Sequence, residues 1–153
     1  MGDQEPQDFA ELINAAEHEG WATTMGLRLV RATRDEVVGE MDIQKIHHQA
    51  YGVVHGGVYS GIVETLSSVG AAIDAFSRGQ SVVGIENHTM FLRAVRSGKL
   101  SATAKPLMRG RRTQVWEGMV YDEAGTLVAK GSVRVLVLDA GSQIAGEQIT
   151  IQS

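Results

Sequence analysis

The residues best equipped for chemistry lie in one stretch, Gln49-Ala50-Tyr51-Gly52-Val53-Val54-His55-Gly56-Gly57-Val58-Tyr59-Ser60-Gly61-Ile62-Val63-Glu64. A polar loop punctuated by glycines runs into a segment that is apolar or small on every side. From Val54 to Ile73 its only acid is Glu64. A helix apolar all round is normally buried, and a glutamate is rarely buried without a partner. A carboxylate held there can attack an electrophilic carbon or activate water. The first turn of the same helix offers backbone N–H groups without intrahelical partners, and the helix dipole adds to their pull. Gly56 and Gly57 have no side chain to keep a carbonyl oxygen away, and Gln49 can bond that oxygen or orient a water. A carboxylate with oxyanion donors is equipment for acyl transfer. A structural account stands beside it: the glycines permit a tight entry into the helix, and Glu64 is satisfied by Ser60, Ser67, Ser68 or a loop amide.

The spacing adds a constraint. Glu64 lies eight residues beyond Gly56, about 12 Å along a helix axis, too far for one side chain to span. If both act on one carbonyl they come from different subunits, with two such helices side by side and antiparallel in a two-fold dimer. Ser68, one turn beyond Glu64 on the same face, could hold the substrate or a water in line. His55 is either a general base or, as expected for this kind of loop, a residue that fixes the backbone. His47 and His48 are adjacent, which is not the spacing of two ligands on a helix face, and no metal site is expected.

These residues need elements to position them. Pro6 and Asp8 open a short amphipathic helix with Phe9, Leu12, Ile13 and Ala16 on its apolar face and Gly20 as a stop. After Trp21 the period changes to two. Leu27 and Leu29, then Val37, Gly39, Met41 and Ile43, predict a β-hairpin turning at Arg34-Asp35. A loop from Gln44 to Val54 leads to a central helix ending near Phe76. Four strands joined by short turns follow: Val82 to Arg93; Leu100, Ala102 and Ala104 alternating with Ser101, Thr103 and Lys105; Val115, Glu117, Met119 and Tyr121 alternating with Trp116, Gly118 and Val120; and Ala129 to Val137. Residues 1–138 read as one domain and 139–153 as a loosely held tail. The sum is an α+β chain in which a curved antiparallel sheet wraps a long central helix. Any helix face left uncovered calls for a second subunit.

Composition narrows the function classes. The chain has 153 residues, enough for one domain with a real core. Its net charge of −4 is spread along the sequence, which argues against general affinity for nucleic acid or anionic membranes. An anionic ligand must then be met by local arginines. With no cysteine there is no disulfide framework or thiolate metal site. The first residues show no secretory signal, and Glu64 with the glycines and serines around it makes the central helix a poor membrane span. A cytoplasmic protein is expected.

Gln49, Gly52, His55-Gly56-Gly57 and Glu64, in this element order, resemble the hotdog-fold acyl-CoA thioesterases. The likeness is to the phenylacetyl-CoA type and to the 4-hydroxybenzoyl-CoA branch with its carboxylate on the central helix. It covers about Leu27 to Leu138, and Asn87-His88-Thr89-Met90-Phe91-Leu92-Arg93 matches what those families carry in the strand after the helix. Many members have Asp at the position of Glu64 and Asn at that of Gln49. The resemblance implies a homodimer, often paired into a tetramer, with active sites at the interface and no metal or redox cofactor. The implied reaction is hydrolysis of a small or aromatic acyl-CoA, with Glu64, Gly56 and Gln49 catalytic. His55, Gly57, Ser68, Asn87, His88, Arg93, Arg111, Arg112 and Thr113 are the expected substrate and CoA contacts, with Asn87 and His88 open between bracing the loop and touching the ligand. A hydratase of acyl thioesters would carry a His–acid pair in a loop pattern absent here. A non-catalytic acyl-CoA-binding protein is the alternative of a different class.

Overall fold

A computed structural model of the chain describes residues 5–16 and 19–149. Helices α1 (Ala10–Ala16) and α2 (Trp21–Met25) precede strands β1 (Arg28–Ala32) and β2 (Val37–Asp42), then a 3-10 turn (Lys45–His47) and the long helix α3 (Gly56–Phe76). Strands β3 (Ser81–Phe91), β4 (Lys99–Arg109), β5 (Thr113–Tyr121) and β6 (Leu127–Leu138) follow, with a small hairpin of β7 (Gln143–Ile144) and β8 (Glu147–Gln148). The first six strands form one antiparallel sheet in the order β1-β2-β4-β5-β6-β3. The chain is therefore α+β, as its pattern predicts. No helix among the described residues is long and apolar enough to cross a membrane.

The order of strands explains the position of α3. β3 does not pair with β2, its neighbour along the chain, but takes the far edge beside β6. To deliver it there, α3 crosses the sheet and touches every strand from β2 to β6. It buries a stripe at steps of four: Val58 and Tyr59, Ile62 and Val63, Leu66 and Ser67, Gly70 and Ala71, Asp74 and Ala75. Against it lie Leu100, Ala102 and Ala104 of β4, Trp116 and Val120 of β5, and Val133 and Val135 of β6. Gly70 is one place where helix and sheet approach closely, since a Cβ there would sit 2.3 Å from the Trp116 ring.

α3 keeps a face that this sheet does not cover: Ser60, Gly61, Glu64, Thr65 and Ser68 are only half-buried, and Phe76 is 75% exposed. Two readings need correction. Leu12 points to solvent, and α1 packs through Ala10 and Ile13 instead. Trp21–Met25 is a one-turn helix bracketed by Gly20 and Gly26, both at positive φ, too short to show a period. The segment read as tail holds the β7–β8 hairpin, turned by Ala145 and Gly146 at positive φ. Its two-residue strands are likewise too short to alternate. Residues 150–153 of that reading lie outside the described residues.

An acid that the sequence reading passed over holds the C-terminal end of α3. Asp74 is 2% exposed. Its carboxylate accepts from Gln114 Nε2 at 2.9 Å and pairs with Arg34 at 3.0 Å and Arg78 at 3.1 Å, with Arg109 at 3.9 Å. Gln114 Oε1 in turn accepts the Trp116 indole N–H at 2.9 Å. The largest buried side chain thus has its one polar atom satisfied through a buried amide. Replacing Asp74 by Ala strands that amide and its cations, and is expected to lower the unfolding free energy by about 3 kcal/mol. Arg34→Ala, a half-exposed partner, is expected to cost less than about 1 kcal/mol. Denaturant midpoints measure both.

Candidate active site

The loop before α3 is fixed by its own backbone and by three histidines. Gln49 N–H donates to Val53 O and Gly52 N–H to Gln49 O, each at 2.9 Å, with Gly52 at φ +71°. Arg96 Nη1 donates to Tyr51 O at 2.9 Å. Buried His47 bonds Met25 O through Nε2 and accepts the Gln44 N–H at Nδ1. His48 Nε2 bonds Arg96 O. All three histidines bond the backbone, and His55 caps the helix: its Nδ1 accepts the Gly57 N–H at 2.8 Å, while its carbonyl accepts the Val58 N–H at 2.9 Å. Of the first three amides of α3, Gly56 N–H alone is left without a partner among the described residues. Gly57, expected to share that role, is occupied by His55.

Gly56 opens onto a cavity of about 290 Å³ lined by Gln49, Val53, Val54, Tyr59, Phe91, Leu92, Arg93 and Ala94. Gln49 Oε1 accepts the Tyr51 N–H, so its Nε2 hydrogens stay uncommitted among the described residues. The Phe91 ring lies 2.4 Å from where a Gly56 Cβ would be, and 6.1 Å from the Tyr59 ring. Burial, and then the charge of Asp122, push the Tyr59 hydroxyl pKa up, so it is neutral. Its oxygen is buried with no partner among the described residues.

Glu64 does not line this cavity, in keeping with the 12 Å spacing. It is half-buried on the flank of α3 that faces β3. Asn87 Nδ2 donates to Glu64 Oε2 and to Ser60 O, both at 3.0 Å. Asn87 therefore braces the acid rather than the loop. Glu64 Oε1 rests on Gly84, 2.2 Å from where a Cβ would be. Ser68 is half-buried and makes no bond to Glu64 among the described residues. His88 is exposed and paired with Ser132 on β6, on the strand face opposite Asn87.

The remaining expected contacts lie apart from Gly56. Arg111 lines a second cleft, of about 370 Å³, with Arg34, Asp74, Arg78, Gln80, Arg109 and Gly110. Arg112 and Thr113 continue that turn, where Thr113 O accepts the Gly110 N–H. Asp74 is eighteen residues beyond Gly56, about 27 Å along α3, so one subunit does not bring this turn to the free amide. Arg93 does line the Gly56 cavity. The sequence reading missed Phe91 as a wall of this cavity and Gly84 as the seat of the acid. A glycine inside a strand was the available signal for the second.

The profile of the thioesterase superfamily matches residues 51–129. That span holds Gly56, Glu64, Asn87, Arg93 and Arg111 to Thr113, and begins just after Gln49. The Mycobacterium tuberculosis protein Rv1847, named as an esterase, is 38% identical over 118 residues, covering 76% of this chain and 84% of its own. Its structure superposes with a TM-score of 0.76 over 78% of this chain and 96% of that one. The proofreading thioesterase EntH of Klebsiella pneumoniae is 34% identical over 113 residues, 74% of this chain and 82% of its own. The Haemophilus influenzae thioesterase HI1161 is 28% identical with a TM-score of 0.80, over 85% of this chain and 90% of that one.

The capping role of His55 has a stability signature. His55→Ala unties Gly57 and is expected to cost about 1 kcal/mol, whereas His55→Asn keeps an acceptor at the cap and costs a few tenths. Thermal unfolding of the two variants separates them.

Proposed function

The chain belongs to the thioesterase superfamily and is a thioester hydrolase, and on that premise we propose that it cleaves a small or aromatic acyl-CoA to the free acid and CoA. The observation that carries the reading is the uncommitted Gly56 N–H at the positive end of α3, beside a cavity walled by aromatic rings. That amide and Gln49 Nε2 take the thioester oxygen, stabilising negative charge as it develops. Glu64 of the facing subunit supplies the carboxylate. In the water route it takes a proton from water, whose oxygen adds to the carbonyl carbon. The C–S bond then breaks and the CoA thiolate leaves, recovering that proton. In the covalent route a Glu64 oxygen adds to the carbon, the C–S bond breaks, and water hydrolyses the resulting anhydride.

The edge strand favours the dimer this requires. β3 ends the sheet with eleven residues, and its Ile85, Met90 and Phe91 are about half exposed. A long apolar edge invites pairing. Two copies joined there about a two-fold axis bring their α3 helices together antiparallel and give two equivalent sites. Arg93, and Arg111, Arg112 and Thr113 at the β4–β5 turn, are the groups offered to the CoA phosphates.

Thiol release across benzoyl, 4-hydroxybenzoyl, phenylacetyl, dihydroxynaphthoyl and aliphatic CoA thioesters tests the reaction. Glu64→Ala is expected to lower turnover about 10²–10⁴-fold with the fold intact. No release from any thioester, with acyl-CoA bound equally by both proteins, would leave a binding protein. Co-expressing Glu64→Ala with Gln49→Ala tests the shared site. Each variant alone is crippled, Gln49→Ala by about 10²–10³-fold. Random pairing makes half the dimers mixed, each with one intact site, restoring about a quarter of wild-type activity. Sites contained within one subunit would show no restoration.

A further inference from the structure

We propose that Thr89, Asn87 and Gly84 of β3 form a positioning device that commits Glu64 Oε2 and leaves Oε1 as the reacting oxygen. This rests on the reading of Glu64 as the catalytic carboxylate. The device begins with a break in the strand. Gly84 pairs with Val135 and Glu86 with Arg134, so Ile85 is an extra residue on the β3 side. Gly84 and Asn87 are three apart and would face opposite sides of a regular strand. The bulge restores the phase. Gly84 is opposite buried Val135, Asn87 opposite buried Val133, and Thr89 opposite Gly131, while Glu86 and His88 turn outward opposite Arg134 and Ser132. Ile85, the displaced residue, is 53% exposed.

With the three residues on one face, each has a defined task. Thr89 Oγ1 donates to Asn87 Oδ1 at 2.7 Å. The amide is oriented by its two acceptors, Glu64 Oε2 and Ser60 O, which a flipped amide would face with its oxygen, and the Thr89 hydroxyl, donating to Oδ1, holds it in that orientation. So fixed, Asn87 Nδ2 donates to Ser60 O and Glu64 Oε2, tying strand, helix backbone and acid together. Thr89 has room because its partner across the ladder is Gly131, where a Cβ would lie 2.4 Å from Thr89 Oγ1. Oε1 occupies the space of the missing Gly84 side chain and accepts no hydrogen bond from the described residues. One oxygen is held and the other is open, which confines the carboxylate to one orientation without using up both acceptors.

Two substitutions separate positioning from folding. Thr89→Val keeps the shape and a β-branched side chain but removes the hydroxyl. It is expected to lower kcat about three- to tenfold with KM unchanged, the worth of a neutral hydrogen bond, and Thr89→Ser is expected to restore most of it. In Gly84→Ala the closest clash is with the flexible end of Glu64, so the unfolding midpoint should hold while kcat falls about a hundredfold. The measurement is thiol release from the best acyl-CoA of the panel, with denaturant midpoints alongside. Full kcat in both Thr89→Val and Gly84→Ala, with Glu64→Ala inactive, would overturn the device and leave the hydrolase. A loss in Thr89→Val that Thr89→Ser does not repair, or that follows the unfolding midpoint, would also overturn it. A wild-type protein that turns over no thioester would instead sink the reading beneath.

Discussion

Where α3 crosses β5, the Trp116 ring fills the space left by the missing side chain of Gly70, and the position of every candidate functional group follows from that contact. It sets the height of the helix above the sheet. With the helix seated, its first turn ends with the Gly56 amide free, and its last turn meets the arginines at the other end. Raising α3 by the thickness of a methyl group would separate Asn87 from Glu64 and Gln114 from Asp74 together, because both bonds bridge the same layer. Cores packed to crystal density transmit such shifts rather than absorb them.

The two acids of α3 show how one helix carries a structural carboxylate and the one proposed for the chemistry. Asp74 is buried among an amide and three guanidiniums, with its hydrogen bonds on Oδ2 and only ion pairs at Oδ1. Glu64 is half-open and has one amide donor. Its second oxygen lies against bare backbone. The difference comes both from the helix, which puts Asp74 on its buried stripe and Glu64 on its flank, and from the neighbouring strands. β5 offers Gln114 to Asp74, whereas β3 offers a glycine and an asparagine to Glu64.

Much of this was legible in the chain itself. Period-two alternation revealed β4, β5 and β6, because each is flanked on both sides and alternates over most of its buried length. The entry to α3 was visible from His55-Gly56-Gly57, though only coordinates show that His55 consumes one of the two glycine amides. β3 was harder. It is an edge strand with an extra residue, so its pattern breaks phase at Ile85, and a regular reading cannot put Gly84 and Asn87 on one side. Asp74 was overlooked because, apart from Arg78 one turn on, its partners come from 40 residues before it and 35 to 40 after it, and charges brought together by tertiary structure leave no local period.

Strand β3 also has an implication for subunit dosage. In the proposed two-fold dimer, its Asn87 end serves the carboxylate of one site, while its Phe91 end covers the Gly56 amide of the other. A lesion that deforms the whole strand would then injure both sites of its dimer, including the one whose carboxylate belongs to a healthy partner. Where sound and damaged chains are made in equal amounts and pair at random, only about a quarter of dimers would have two sound strands. Damage to β3 would thus behave as dominant, whereas loss of Glu64 alone would spare the neighbouring site.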